Sequence, residues 1–110
     1  MSKSACGIGL EQARTKHGKE GFFAIVTQKG CPPCPPMKRL LKKSVGGKRT
    51  IVELPVEDAK CQPALDRYRV TVSPTILFFK GKSVKRITEG DKTDDQIRAQ
   101  IAAIVGKGKK

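Results

Sequence analysis

Short apolar runs, bounded by glycine and polar residues, recur along the chain and predict four β-strands. The first run is almost wholly apolar, which is typical of a buried strand, and the second alternates, with Val52, Leu54 and Val56 on one face. The last run carries Lys85 and Arg86, which suits the edge of a sheet. The predicted strands are Phe22–Thr27, Thr50–Val56, Thr75–Lys80 and Ser83–Glu89.

Apolar residues at helical spacing occupy the segments around these strands and predict four helices. In the second helix Pro35 and Pro36 fall in the first turn, where a missing N–H costs little. Gly46–Gly47 ends that helix, and Asp58 is a suitable N-cap for the third. The predicted helices are Leu10–His17, Cys31–Val45, a segment from Asp58 to about Arg69, and one that follows the capping box Thr93–Gln96 and ends at Gly106.

The order of these elements predicts an α/β fold. A helix joins the first two strands, which requires a parallel crossover, whereas a tight turn joins the last two as an antiparallel hairpin. We therefore expect a mixed four-stranded sheet with helices on both faces. The length of 110 residues suits a single domain over residues 1–110, with a flexible arm at 1–9 and a basic tail at 107–110.

The chain is strongly basic, with 23 lysines and arginines against 10 acidic residues and a net charge of +13. Seven basic residues and no acid lie between Lys29 and Arg49, and such a surface attracts acidic partners or polyanions. Specific nucleic-acid binding is not favoured, because the four phenylalanines fall in predicted strands and leave no base-stacking platform. No apolar run approaches the length of a membrane span, so no membrane partner is expected, and we expect a monomer.

The sequence Cys31-Pro32-Pro33-Cys34 lies between the first predicted strand and the helix that follows. Two cysteines at this spacing can form a reversible disulfide, and a helix N-terminus stabilises the thiolate that attacks other disulfides. The alternative is half of a zinc site, for which only Cys6, Cys61 and His17 could supply further ligands. The N-terminus has no continuous apolar segment typical of a secretory signal, so a cytoplasmic location is expected, where such a pair more often serves redox catalysis or metal binding.

With this pair after the first core strand and Val72-Ser73-Pro74-Thr75 before the third, the chain resembles the thioredoxin family over about Phe22 to Val105. The resemblance implies the thioredoxin fold, with Cys31 as nucleophile and Cys34 as the resolving thiol. It also implies that Pro74 is a cis-proline facing the cysteine pair across a substrate groove. Because proline has no N–H, backbone groups before Pro74 are left to pair with an extended substrate.

The resemblance implies a thiol–disulfide oxidoreductase that reduces protein disulfides and draws electrons from a reductase or glutathione. The basic residues near Lys38, Arg39 and Lys42 predict a preference for acidic partners. No bound cofactor is expected beyond the redox-active disulfide. The expected groove consists of Gly30, Pro32, Pro33, Val72, Ser73, Pro74 and Gly90, the last within Glu89–Asp91. Three alternatives remain: a glutaredoxin-like reductase of glutathione mixed disulfides, a glutaredoxin-like protein that ligates an iron–sulfur cluster through Cys31, and a non-catalytic basic module that binds zinc or a polyanion.

The chain departs from the family beneath the cysteine pair. Thioredoxins usually carry a buried aspartate six residues before the first cysteine, with a lysine on the neighbouring strand, and here these positions are Ile25 and Glu53. We hypothesise that Glu53 accepts the proton of the resolving thiol, with its pKa raised by burial. The alternative is that Glu53 faces solvent.

Cys61 shares a helical face with apolar residues and is expected to be a free, structural cysteine, whereas a catalytic role of Cys6 or His17 is not expected.

Overall fold

The computed structural model describes residue 15 and residues 19–47, 49–81, 83–88 and 93–107. From the first strand onward the elements follow the predicted order, whereas the predicted helix Leu10–His17, apart from residue 15, lies outside the described residues. The elements are β1 (Phe22–Thr27), α1 (Cys34–Val45), β2 (Thr50–Pro55), a 3₁₀ turn (Ala59–Cys61), α2 (Gln62–Arg67), β3 (Thr75–Lys80), β4 (Ser83–Thr88) and α3 (Asp94–Lys107).

The four strands form one mixed sheet in the order β2-β1-β3-β4. β1 pairs with β2 in parallel and with β3 in antiparallel orientation, and β3 pairs with β4 in antiparallel orientation. Ile25 in β1 lies opposite Glu53 in β2 and Ile76 in β3. All six residues of β1 are buried, which agrees with its position inside the sheet and its almost wholly apolar sequence. The predicted mixed four-stranded sheet is confirmed.

Helices cover both faces of the sheet, because successive residues of each strand point to opposite sides. On one side Phe22 stacks on Phe79 with ring centroids 5.0 Å apart, and this core extends to Cys61 and Leu65. On the other side Phe23 and Ile25 pack with apolar residues of α1 and α3. These helix residues are Leu41 and Val45 of α1 and Ile97, Ile101 and Val105 of α3.

Two helix boundaries differ from the sequence expectation. α1 begins at Cys34 rather than at Cys31, although Pro35 and Pro36 occupy its first turn as expected. The single helix expected from Asp58 to Arg69 is a 3₁₀ turn followed by the short α2, with Pro63 at the start of α2. An unbroken α-helix is excluded there, because Pro63 has no N–H to donate to the carbonyl of Ala59 and its ring would clash with that group.

The start of α3 and the exposure of β4 both agree with the sequence predictions. Before α3, the Gln96 N–H donates to Thr93 Oγ1 (3.2 Å) and the Thr93 N–H to Gln96 Oε1 (2.9 Å), which confirms the capping box. β4 is exposed along Ser83–Arg86 and buried only at Ile87 and Thr88, as expected of an edge strand. Among the described residues, the helices are all too short or too polar to cross a membrane.

Candidate active site

Cys31 and Cys34 form a disulfide with an S–S distance of 2.14 Å and a Cα–Cα distance of 5.4 Å. The loop after β1 delivers Cys31, and Cys34 is the first residue of α1. Cys34 is buried, with 4 % of its surface exposed, whereas Cys31 is partly exposed. A substrate can therefore approach the sulfur of Cys31 more readily than that of Cys34, which agrees with the roles expected for the two thiols.

The backbone around the disulfide has few hydrogen-bond donors. Residues 32, 33, 35 and 36 are prolines and have no N–H. The two remaining N–H groups of this stretch are engaged, since Cys34 donates to the Cys31 carbonyl (3.0 Å) and Met37 to the Pro33 carbonyl (3.1 Å). Few backbone N–H groups are therefore available to stabilise a Cys31 thiolate, and the helix dipole and nearby cations are the other sources of stabilisation.

The segment Val72–Pro74 lies beside the loop that leads to Cys31. Ser73 Oγ donates a hydrogen bond to Gln28 Oε1 (3.1 Å), and the Cys31 N–H donates to the Gln28 carbonyl (3.2 Å). The Ser73–Pro74 peptide bond is cis, and Val72 is 45 % exposed although it is apolar. Gln28 thus links the two segments that the sequence assigned to one groove, while Gly90 and its neighbours Glu89 and Asp91 lie outside the described residues.

A cavity of about 890 Å³ opens beside the disulfide and is lined by residues of α1, of β2 and of the loop after β1. Both cysteines line it, together with Pro32, Pro35 and Pro55 as apolar walls. Its charged lining has four cations and two carboxylates. These are Lys29, Lys38, Arg39 and Lys42 against Glu53 and Glu57. The disulfide is therefore reached from a concave surface of net positive charge.

Glu53 lines this cavity and is held by two side chains. Thr27 Oγ1 donates to Glu53 Oε2 (2.9 Å), and Lys38 Nζ lies 2.7 Å from Glu53 Oε1. Its side chain is 37 % exposed. The hypothesis expected a buried carboxylate, and the alternative expected one that faces solvent. The observed side chain is half-buried, and each of its carboxylate oxygens has a bonding partner.

The pKa of Glu53 moves in the direction opposite to the one expected. Burial alone raises the pKa of this carboxyl, but the hydrogen bonds from Lys38 and Thr27 and the positive charges of Lys38 and Lys42 outweigh it, so the pKa is lowered. The prediction of a raised pKa is wrong, because the sequence comparison with a buried aspartate did not include these partners. Glu53 is therefore ionised at neutral pH and able to accept a proton.

Several contacts of the site were missed in the sequence, although the one between Lys38 and Glu53 carried a signal. Lys38 follows Cys34 by four residues, and residues at this spacing lie on the same face of a helix. Thr27, Gln28 and Glu57 had no such signal, because their contacts join segments distant in the chain. The Lys29 N–H donates to Glu57 Oε2, which attaches the loop before Cys31 to the end of β2.

Cys61 differs from its expected state. It is fully buried in the core beside β1, as its helical spacing indicated, but it is disulfide-bonded rather than free, and its partner lies outside the described residues. Cys6 and His17 also lie outside the described residues. Within the described part of the chain, no group of three or more histidine, cysteine, aspartate or glutamate side chains is arranged to hold a metal ion.

No protein-family model matches the chain, and neither does any curated protein. Solved structures do match it. Chloroplastic thioredoxin z is 23% identical with a TM-score of 0.70, and the alignment covers 92% of this chain and 91% of that one. Thioredoxin O2 from Arabidopsis thaliana in the oxidised state is 17% identical (TM-score 0.68, covering 87% and 84%), and thioredoxin from Trypanosoma brucei brucei is 16% identical (TM-score 0.68, covering 88% and 86%). At these identities the property shared with the present chain is the fold.

Proposed function

From a thioredoxin fold that carries a disulfide-forming cysteine pair at a helix start, we propose that the protein is a thiol–disulfide oxidoreductase that reduces protein disulfides. The observation that supports this most is the Cys31–Cys34 disulfide, with one sulfur accessible and the other buried at the first residue of α1. We assign Cys31 as the nucleophile and Cys34 as the resolving thiol.

In the proposed reaction the Cys31 thiolate attacks one sulfur of the substrate disulfide. A mixed disulfide forms, and the other substrate sulfur leaves as a thiolate and takes up a proton. The Cys34 thiol then loses its proton, and its sulfur attacks Cys31 Sγ. The Cys31–Cys34 disulfide forms, the second substrate thiolate is released, and two electrons have passed to the substrate. A reductase or glutathione returns the pair to the dithiol, and no bound cofactor takes part.

We propose Glu53 as the acceptor of the Cys34 proton. It lines the same cavity as Cys34, and its carboxylate is ionised at neutral pH. Lys38 stands one helical turn after Cys34 and holds the carboxylate on the cavity wall. Because the lowered pKa makes Glu53 a weak base, its contribution is modest compared with that of a base whose pKa lies near the working pH.

Reduction is the favoured direction because the thiolate has little backbone support. A hydrogen bond to a charged group is worth about 1.5–3 kcal/mol, and the four prolines leave only the N–H groups of Cys34 and Met37 within residues 32–37. Exposed cations near the site compensate by less, at most about 1 kcal/mol each. A dithiol that is poorly stabilised relative to its disulfide is a reductant. The compartment proposed is the cytoplasm, where a cysteine pair at the Cys31–Cys34 spacing more often serves redox catalysis or metal binding than a permanent cross-link.

The experiment that tests the proposal is the trapping of the mixed disulfide on insulin. We expect the reduced wild type to reduce insulin, Cys34→Ser to accumulate a stable adduct through Cys31, and Cys31→Ser to form none. Trypsin cleavage after Lys29 and Lys38 gives a peptide of residues 30–38 that contains both active-site positions and no other cysteine, so mass spectrometry locates the adduct. An adduct on residue 34 in the Cys31→Ser variant would reverse the roles, and a wild type that leaves insulin oxidised would contradict the function.

A further inference from the structure

The cavity beside the disulfide overlaps the expected groove at Gly30 and Pro32 but does not extend to Val72–Pro74. None of those three residues lines it; its walls come from the loop after β1, from α1, and from the end of β2. It nevertheless includes Cys31, so a substrate whose sulfur reaches Cys31 brings its neighbouring residues to the mouth of this cavity. An extended chain covers about 3.3–3.6 Å per residue, so residues within a few positions of the substrate cysteine can reach it.

The charges of α1 are poorly explained by the stability of the helix. The helix contains Lys38, Arg39, Lys42 and Lys43 and no acidic residue. Lys38 with Lys42 and Arg39 with Lys43 are like-charged pairs four residues apart, and each such pair destabilises a helix by about 0.2–0.5 kcal/mol. Lys42 and Lys43 lie in the last turn, where the helix dipole compensates, but Lys38 and Arg39 do not.

These cations are incompletely neutralised. Lys38 pairs with Glu53, and Glu57 accepts a hydrogen bond from a backbone N–H rather than from a cation. In the part of the chain that the structure describes, no carboxylate forms an ion pair with Arg39. A concave surface focuses the field of such charges, so the cavity attracts a negatively charged group more strongly than a flat surface of the same charge would.

The apolar walls select among negatively charged groups. Pro32, Pro35 and Pro55 offer rigid apolar surface and no N–H donor, so a ligand gains apolar contact there and makes its polar contacts with the side-chain cations. A glutamate side chain has an apolar stem and a terminal carboxylate, and a bidentate guanidinium contact suits that carboxylate. The lining therefore matches an acidic side chain on a polypeptide.

We propose that this cavity is a specificity site for an acidic residue that flanks the substrate disulfide, with Arg39 and Lys42 as the recognising cations. The proposal rests on the proposed function, because it assumes that Cys31 attacks the substrate. It narrows the substrate class to protein disulfides with glutamate or aspartate within a few residues of the attacked cysteine.

The test uses three disulfide-bonded peptides that differ only at two positions beside one cysteine. Both positions are Glu in the first peptide, Gln in the second and Lys in the third. Fully reduced protein is mixed with each peptide, the reaction is quenched with acid, and mass spectrometry gives the second-order rate constant of a single turnover. No recycling enzyme is needed. The readout is the ratio of the rate constants for the Glu and Gln peptides, because a change in thiolate reactivity affects both and cancels.

For the wild type at low salt we expect a Glu-to-Gln ratio of about ten or more, a slower reaction with the Lys peptide, and a ratio that falls as salt is added. In Arg39→Gln/Lys42→Gln the ratio should fall to about three or less. The matched control is Lys43→Gln/Lys85→Gln, which also removes two positive charges, one from α1 and one from β4, at positions that do not line the cavity. It should keep most of the preference.

The outcomes separate the two proposals. If the wild type reduces none of the peptides, the proposed function fails. If it reduces all three at equal rates, or if the cavity variant keeps the wild-type ratio, the specificity site is wrong and the proposed function stands. If the control lowers the ratio as much as the cavity variant does, net charge rather than the cavity attracts the substrate. If a short DNA duplex binds more tightly than the Glu peptide and loses affinity in the cavity variant, the surface is a nucleic-acid interface and the proposal is overturned.

Discussion

The pKa of Glu53 shows how hydrogen-bonding and charged partners can outweigh the effect of burial on a carboxyl group. Its backbone lies opposite Ile25 in the parallel β1–β2 pair, and Ile25 belongs to the core under α1. Lys38 and Thr27 hold its two carboxylate oxygens, each from a different element. The sequence could predict that Glu53 lies on the strand beside β1. It could not predict the direction of the pKa shift, because that depends on partners 15 and 26 positions away along the chain.

Glu53→Gln should change the pH dependence of stability. The pKa of Glu53 is lower in the folded protein than in the unfolded chain, so the ionised carboxylate stabilises the fold at pH above the unfolded-state pKa. That stabilisation is lost as the pH falls through the folded-state pKa. We expect the wild type to lose stability relative to Glu53→Gln between neutral pH and about pH 3, by less than about 1 kcal/mol because the ion pair is partly exposed.

Urea unfolding of both proteins at pH 7, 5 and 3 measures this difference. Lys38→Gln is the companion variant, since it removes the cation of the pair and should reduce the same pH dependence. A stability difference between wild type and Glu53→Gln that stays constant over this range would contradict the assigned ionisation. So would one that changes mainly between pH 6 and 8, because that would indicate a raised pKa.

β1 is the element on which the site depends, since it lies inside the sheet and leads directly to the loop before Cys31. Its start is set by Gly21, where φ is +99° and a Cβ atom would overlap the ring of Phe78. Phe78 packs on Phe23 with ring centroids 4.7 Å apart. A side chain at position 21 would therefore strain the backbone and displace an aromatic pair of the core.

Gly21→Ala should destabilise the protein by about 3 kcal/mol or more, from the strained φ and the overlap together. The matched control is Gly81→Ala in the turn between β3 and β4, where φ is +59° and no atom lies within 4 Å of the added Cβ. That variant should lose only about 1–2 kcal/mol, the cost of a left-handed residue. Denaturant unfolding at neutral pH measures both. Equal losses in the two variants would show that the contact with Phe78 is unimportant.

At the scale of elements, apolar spacing predicted the strands well, because the apolar residues that become buried lie within each strand segment. It failed where a boundary depends on hydrogen bonds. The helix expected from Cys31 begins at Cys34, because Pro32 and Pro33 form a turn in which the Cys34 N–H donates to the Cys31 carbonyl. The break before α2 could have been predicted from Pro63, since a proline beyond the first turn of a helix removes a backbone hydrogen bond.

In the whole molecule the two features assigned to chemistry from the sequence come together through Gln28, which contacts both Ser73 and Cys31. The resemblance to the thioredoxin family implied that arrangement, and the antiparallel β1–β3 pairing accounts for it, because it places the start of β3 beside the end of β1. The cavity between α1 and β2 could not be predicted, because its shape depends on how far the helix stands from the edge strand. The basic run along α1 was visible in the sequence, but its concave setting was not.

The molecule as a whole is proposed to act as a reductant, and this claim is tested most directly by an equilibrium redox titration of the Cys31–Cys34 pair. The wild-type protein is equilibrated with mixtures of oxidised and reduced dithiothreitol or glutathione, alkylated, and digested with trypsin, and the peptide of residues 30–38 reports the pair separately from Cys61. We expect a reversible two-electron couple with a potential near about −270 mV. A potential near about −120 mV would contradict the reducing direction, and the absence of any reversible couple would contradict the oxidoreductase itself.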